Sequence, residues 1–267
     1  MCFFLFLELL SMNIALVQVN IEWENKKNNL TIFSDWLSKL DKNVDLVVLP
    51  EMFSTGFTMC PNLVAETMEG ETVSWIKQQA QSLEIAIIGS FVIEEAGNYY
   101  NRLFFVFPDG EVQFYDKRHL FTLAGEEKVY TSNKKEKVII QYKGWKICPL
   151  ICYDLRFPVY SRNVEDYDLL LYVANWPKQR MQAWDILLRA RAVENLSYVV
   201  GVNRVGFDAN GLAYIGHSQV IDELGHFIVQ PFEEEAIQYA MLDKNKILET
   251  RTKLNFLKDK DEFSLFL

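Results

Sequence analysis

Short apolar runs, each cut off by a polar or turn-forming residue, constrain this chain more than any other feature. Runs dense in Val, Ile, Leu, Phe and Tyr occupy 13–19, 45–49, 85–91, 102–107, 112–115, 146–151, 168–173 and 197–203. They are too short for ordinary helices, and β-branched and aromatic side chains suit strands buried on both faces. Amphipathic stretches of helical length lie between several of them. The stretch 25–40 sets Leu30, Phe33, Leu37 and Leu40 on one face, and 72–83 behaves similarly. In 180–195 the apolar stripe is Ile186, Leu187, Ala190 and Val193. Strand–helix alternation in the first third calls for parallel pairing through crossover helices. The middle changes character: 99–107 and 111–115 flank Pro108-Asp109-Gly110, a hairpin turn. A second hairpin is expected from 212–222 and 226–230, joined by Glu223-Leu224-Gly225. The expectation is one α/β domain over 12–267, with a mixed sheet or two sheets packed face to face and helices outside.

Composition narrows the function classes. Half of the 267 residues are apolar, and Lys and Arg number 27 against 36 Asp and Glu, a net charge of −9. Such a chain can build a large core and repels phosphates on average, so no nucleic-acid partner is expected. Four Cys residues make no disulfide scaffold and show no metal-ligand spacing. The leader MCFFLFLELL is half the length of a membrane span and lacks a basic n-region and cleavage site. Residues 1–11 are therefore expected to stand outside the core, with Met12 as the effective start. No membrane association is expected, and the location is read as cytoplasmic with reduced thiols.

Three reactive residues each follow an apolar run directly. Glu51 follows 45–50, Lys117 follows 112–116, and Cys152 follows 147–151. Ligands of open α/β sheets bind beyond the carboxyl ends of strands. A carboxylate, an amine and a thiol gathered there supply a base, a cation and a nucleophile. Read alone, each has a bland alternative: a solvated Glu, a surface Lys in Lys117-Arg118-His119, a small core Cys. Cys148, inside its strand, is read as core, and Cys2 and Cys60 have no partner pattern.

The segments LPEMFSTGF, YDKRHLF and ICYDLRFP resemble, in order and spacing, the three signature blocks of the nitrilase superfamily, the carbon–nitrogen hydrolases. The similarity runs from about Met12 to Arg251. The run YVANWPKQRMQAWDILLRARAVEN further resembles the branch containing bacterial omega-amidases, which act on 2-oxoglutaramate-type monoamides. The resemblance implies a four-layer α-β-β-α sandwich of two mixed sheets with helices outside, and a homodimer joined helix to helix. It implies Cys152 as nucleophile, its thiol pKa lowered by Lys117 and the turn that follows. It implies Glu51 as general base, and Lys117 with the Tyr153 backbone N–H as oxyanion donors. Glu126 matches a second carboxylate, with adjacent Glu127 as the alternative.

A second carboxylate on the substrate calls for guanidinium donors. Arg180 is the first candidate; Arg156 is the second, with an ion pair to Asp154 as its structural reading. Trp176, Phe121 and Phe57 are candidates for the apolar lining, and His119 is read as supporting Lys117. No cofactor or metal is implied, and the partner is a small-molecule amide. The same triad serves N-carbamoyl amine and amino-acid hydrolases and nitrilases. A catalytically idle binding or scaffold protein is the reading from another class.

Overall fold

The computed structural model describes residues 10–134 and 136–265. Among the described residues fourteen strands run β1 (Ser11–Gln18), β2 (Leu46–Val48), β3 (Ala86–Glu95), β4 (Asn98–Val106), β5 (Val112–Asp116), β6 (Ile140–Tyr142), β7 (Trp145–Ile151), β8 (Leu169–Val173), β9 (Tyr198–Val202), β10 (Val205–Phe207), β11 (Ala213–Ile215), β12 (Ser218–Ile221), β13 (Phe227–Phe232) and β14 (Ala236–Asp243). The α-helices are α1 (Lys26–Leu37), α2 (Pro61–Val64), α3 (Glu71–Leu83), α4 (Pro158–Ser161), α5 (Met181–Asn195) and α6 (Lys244–Leu254).

One six-stranded sheet has the order β14-β1-β2-β3-β4-β5 and the other β13-β12-β9-β8-β7-β6; β10 and β11 form a separate pair. Both large sheets are mixed. Strands β1, β2 and β3 pair in parallel, as do β7, β8 and β9, and hairpin partners extend each set.

Strand alternation separates the layers. Ile14, Leu16, Leu46, Val48 and Ile88 turn toward the second sheet and meet a core that includes Leu150, Leu169 and Val200. Ala15, Val17, Val47 and Ile87 turn the other way, onto Leu30 and Phe33 of α1 and Val73 and Ile76 of α3. Because both faces are covered, the parallel strands read as continuous apolar runs. Burying a side chain such as Phe33 fully contributes about 1.5–3 kcal/mol. On the far side, α5 lies close over Gly201 of β9, where a Cβ would stand 2.5 Å from Leu188 and 2.7 Å from Trp184. Helix, sheet, sheet and helix thus stack as the four expected layers.

Several details differ from the sequence reading. The α5 stripe holds only in part: Leu187 packs against the core, but Ile186 and Val193 lie exposed, and Trp184, Leu188 and Ala192 face the sheet with the polar Arg191 and Asn195. The polar pair is held inside by hydrogen bonds: Arg191 donates to the Leu155 carbonyl, and Asn195 Oδ1 accepts from Asn163 N–H. The stretch 212–222 is not one strand, because Gly216 and His217 both take positive φ and split β11 from β12. Strands β6, β10 and β14 were not anticipated. Ser11 belongs to β1, paired with Asp243, and the Leu10 carbonyl accepts from Lys244 N–H. The leader expected for 1–11 otherwise falls on residues outside those described. Among the described residues, no helix is long and apolar enough to cross a membrane.

Candidate active site

Strand ends place the reactive groups. Leu49 and Pro50 lead from the end of β2 to Glu51; β5 delivers Lys117; β7 delivers Cys152 as the first residue of a 3-10 turn, Cys152–Arg156. Met52 (φ +44°) and Cys152 (φ +45°) adopt the left-handed conformation that side chains other than Gly and Asn avoid. Two of the three strand ends therefore turn sharply, with local strain that the surrounding packing must offset. Ser90 of β3 braces the first turn by accepting at Oγ from Met52 N–H, 2.9 Å.

Glu51, Lys117 and Glu126 form a wholly buried ionic cluster. Lys117 Nζ donates to Glu51 Oε1 at 2.9 Å and to both Glu126 oxygens at 3.0 Å. Phe121 N–H donates to Glu126 Oε2 at 2.6 Å, whereas Glu127 is exposed, so Glu126 is the second carboxylate of the cluster. Glu51 also accepts from Asn101 Nδ2 on Oε1, 2.8 Å, and from Asn175 N–H on Oε2, 2.7 Å. The Phe57 ring lies 5.0 Å from Lys117 Nζ.

Burial alone lowers the Lys117 pKa, but Glu126 and then Glu51 outweigh it, and the ammonium is held more firmly than an ordinary lysine. Burial raises the Glu126 pKa, and Lys117 offsets only part of that rise. The Cys152 thiol differs from expectation. Burial and then the Glu51 charge push its pKa well above 9.0, and Lys117 pulls the other way without prevailing. Burial and the neighbouring carboxylate thus oppose the lowering that Lys117 would bring, and Glu51 lies beside the sulfur as a group able to accept its proton.

Asp154 ties two strand ends together. Its wholly buried carboxylate accepts from Ile151 N–H and His119 N–H, both 3.0 Å, from Tyr115 Oη at 2.9 Å, and approaches His119 Nδ1 at 2.7 Å. His119 stacks on Phe157 with centroids 3.7 Å apart. Two expectations are thereby corrected: His119 serves Asp154 rather than Lys117, and Asp154 has no room for an ion pair with Arg156.

A cavity of about 670 Å³ opens over Cys152. Tyr153, Trp176, Phe121, Phe57, Arg156 and Arg180 all line it, so the structure gathers every residue assigned to substrate contact. Arg156 stacks over Trp176 and Arg180 over Phe121, each 5.0 Å from the ring centroid. Among the described residues neither guanidinium has a carboxylate partner. As a first-turn amide, Tyr153 N–H has no partner within its turn and is free in principle for an oxyanion.

Sequence reasoning missed the asparagines that grip Glu51, together with Trp23, Glu24, Asp208 and Tyr214 of the outer wall. Asn175 had a signal, since it closes the run of β8 as Cys152 closes β7. Asn101 had one too, a polar residue on the same side of β4 as the inward-packed Leu103 and Phe105. The outer wall had none, because it forms only when the segment after β1 meets the β10–β11 hairpin.

Comparison with known proteins agrees with this geometry. The family model for carbon-nitrogen hydrolase matches residues 13–252. An omega-amidase YafV of Yersinia enterocolitica is 42% identical over 261 residues, covering 96% of this chain and 99% of that protein. A 2-oxoglutaramate amidase of Bacillus subtilis is 31% identical over 252 residues, covering 92% and 96%. The crystal structure of XC1258 from Xanthomonas campestris, a CN-hydrolase superfamily protein with an arsenic adduct in its active site, superposes with a TM-score of 0.93 at 43% identity, covering 96% and 99%.

Proposed function

We propose, from the premise that the chain belongs to the carbon–nitrogen hydrolase family, that it is an omega-amidase. It releases ammonia from the terminal carboxamide of a small dicarboxylic acid monoamide of the 2-oxoglutaramate kind. One observation carries the choice of substrate: Arg156 and Arg180 share a cavity with Cys152 and lack carboxylate partners. A substrate carboxylate is the complement such guanidinium groups require.

In this reading Glu51 takes the thiol proton as Cys152 Sγ bonds to the amide carbon. Lys117 Nζ and Tyr153 N–H stabilise the oxyanion that forms. Glu51 returns the proton to nitrogen, the carbon–nitrogen bond breaks, and ammonia leaves a thioester. Glu51 next takes a proton from water as its oxygen adds to the thioester carbon. The carbon–sulfur bond breaks, the proton passes to sulfur, and the carboxylic acid departs. Glu126 also holds Lys117, through both of its oxygens.

A panel measuring ammonia release from 2-oxoglutaramate and succinamate, beside N-carbamoylputrescine and a nitrile, tests the substrate class. Preference for the ureido compound would overturn it. Cys152→Ala is expected to abolish turnover, and retained activity would remove the nucleophile.

The exposed apolar face of α5 supports a homodimer. Ile186 (59% exposed) and Val193 (50%) stand there beside Leu224 (47%), and the Leu224-Gly225 turn touches Val193. A two-fold partner would cover them. Ile186→Lys with Val193→Lys should yield monomers in light scattering. The assigned location is the cytoplasm, where Cys60, Cys148 and Cys152 would stay reduced.

A further inference from the structure

Asn101 stands where its strand asks for an apolar side chain. It lies in β4 two residues before Leu103 and four before Phe105, both of which pack between the sheets. It is wholly buried, and its Oδ1 has no hydrogen-bond partner. An orphan buried acceptor costs stability, so packing does not account for this residue.

Its donor and its carbonyl do account for it. Nδ2 donates to Glu51 Oε1 at 2.8 Å, and the Asn101 carbonyl accepts from Lys117 N–H at 3.0 Å. The next residue, Arg102, turns to the opposite face and clamps Asp116, the residue before Lys117, at 2.6 and 2.9 Å. One dipeptide of β4 therefore fixes both the base and the strand end carrying the ammonium. Asn175 N–H holds the other Glu51 oxygen at 2.7 Å, so each carboxylate oxygen has its own neutral donor from a different sheet.

We propose that Asn101 is a positioning residue for amide hydrolysis: its amide fixes Glu51 Oε1 beside Lys117 Nζ, so that the carboxylate cannot turn away from Cys152 Sγ. The proposal rests on the reading of Glu51 as base and extends it. A misaimed base slows proton transfer while leaving the cavity and its arginines intact. The effect thus falls on kcat rather than KM.

The test uses full-length Asn101→Leu, near in shape but without a donor, Asn101→Ala, and Asn101→Ser, which keeps a short donor. Ammonia release and the rate of Cys152 alkylation by iodoacetamide are measured, with thermal unfolding as control. In the Leu and Ala variants kcat is expected to fall about 10- to 100-fold with KM within about threefold, alkylation slowing in parallel. The Ser variant should recover part of the loss. Wild-type kcat in a folded Leu or Ala variant overturns the proposal, as does a loss confined to KM or to thermal stability. Should Leu and Ala fail to fold, a folded Ser variant with alkylation slower than wild type but not abolished supports it, and an unchanged rate overturns it. Glu51→Gln separates the two readings. If it retains turnover, the base assignment fails; if it is inactive while Asn101→Leu is fully active, only the positioning role fails.

Discussion

The buried ionic cluster and the wall of the cavity satisfy their charges in opposite ways. In the cluster, one ammonium is shared by two carboxylates, every member is wholly buried, and neutral donors hold both Glu51 oxygens. On the wall, two guanidinium groups rest on aromatic rings and, among the described residues, neither forms an ion pair. A buried pair that loses a member leaves the other uncompensated, which is strongly unfavourable, so the cluster is locked. On the proposed reading the difference teaches where reaction and selection reside: bond-making chemistry would belong to the closed cluster, and the choice of substrate to the open cations.

Substitution on each side sharpens this contrast. Lys117→Met should have the largest effect, a fall in kcat of about 10²- to 10³-fold, because an oxyanion donor is removed and two carboxylates are left without their cation. Steady-state ammonia release measures it, and a change confined to KM would break the division. Arg180→Met and Arg156→Met should do the reverse. KM for a substrate bearing a carboxylate should rise roughly tenfold or more, with kcat changed little. An uncharged monoamide of similar length should feel neither change, and equal losses on both substrates would contradict the assignment.

The thiol offers a test by pH. Since the Cys152 pKa is raised, the thiolate is scarce at neutrality, and each unit of pH adds about tenfold to it. Iodoacetamide alkylation of the free enzyme should therefore keep climbing past pH 9. A plateau below pH 8 would mean a thiolate already formed. The smallest expected effect comes from Cys148, which lies in the core away from the cavity. Burial pushes its pKa up to about 12 from 9.0. A raised folded-state value means that this contribution is intact below the unfolded-state pKa and is lost as pH rises above it. Stability should fall on the order of 1 kcal/mol per pH unit from about 9 toward 10 on this account. Cys148→Ala should flatten that slope in denaturant titrations while leaving kcat alone.

What the sequence made legible follows from the same physics. Glu51, Lys117 and Cys152 stood out because each breaks a run that must be buried, and few residues do so without a reason. The layers were legible because β1, β2 and β3 are apolar on both faces. The orientation of α5 was not. Its inward face carries Arg191 and Asn195, whose burial depends on partners at Leu155 and Asn163 distant in the chain, so the more apolar stripe looked like the core face. Strand β14 was hidden for a related reason: it opens beside Glu233, Glu234 and Glu235, and only Ala240 and Leu242 are buried in it. Asn101 was overlooked because it stands among other polar residues of β4, Asn98 and Arg102, and gains its meaning only from the side chain across from it.

The raised pKa of Cys152 has one more consequence. Peroxide and other cellular oxidants attack the anion of a thiol far faster than its neutral form. If Cys152 is the nucleophile proposed above, the free enzyme should pass slowly to the sulfenic and sulfinic acids, and peroxide inactivation followed with and without an amide present checks it.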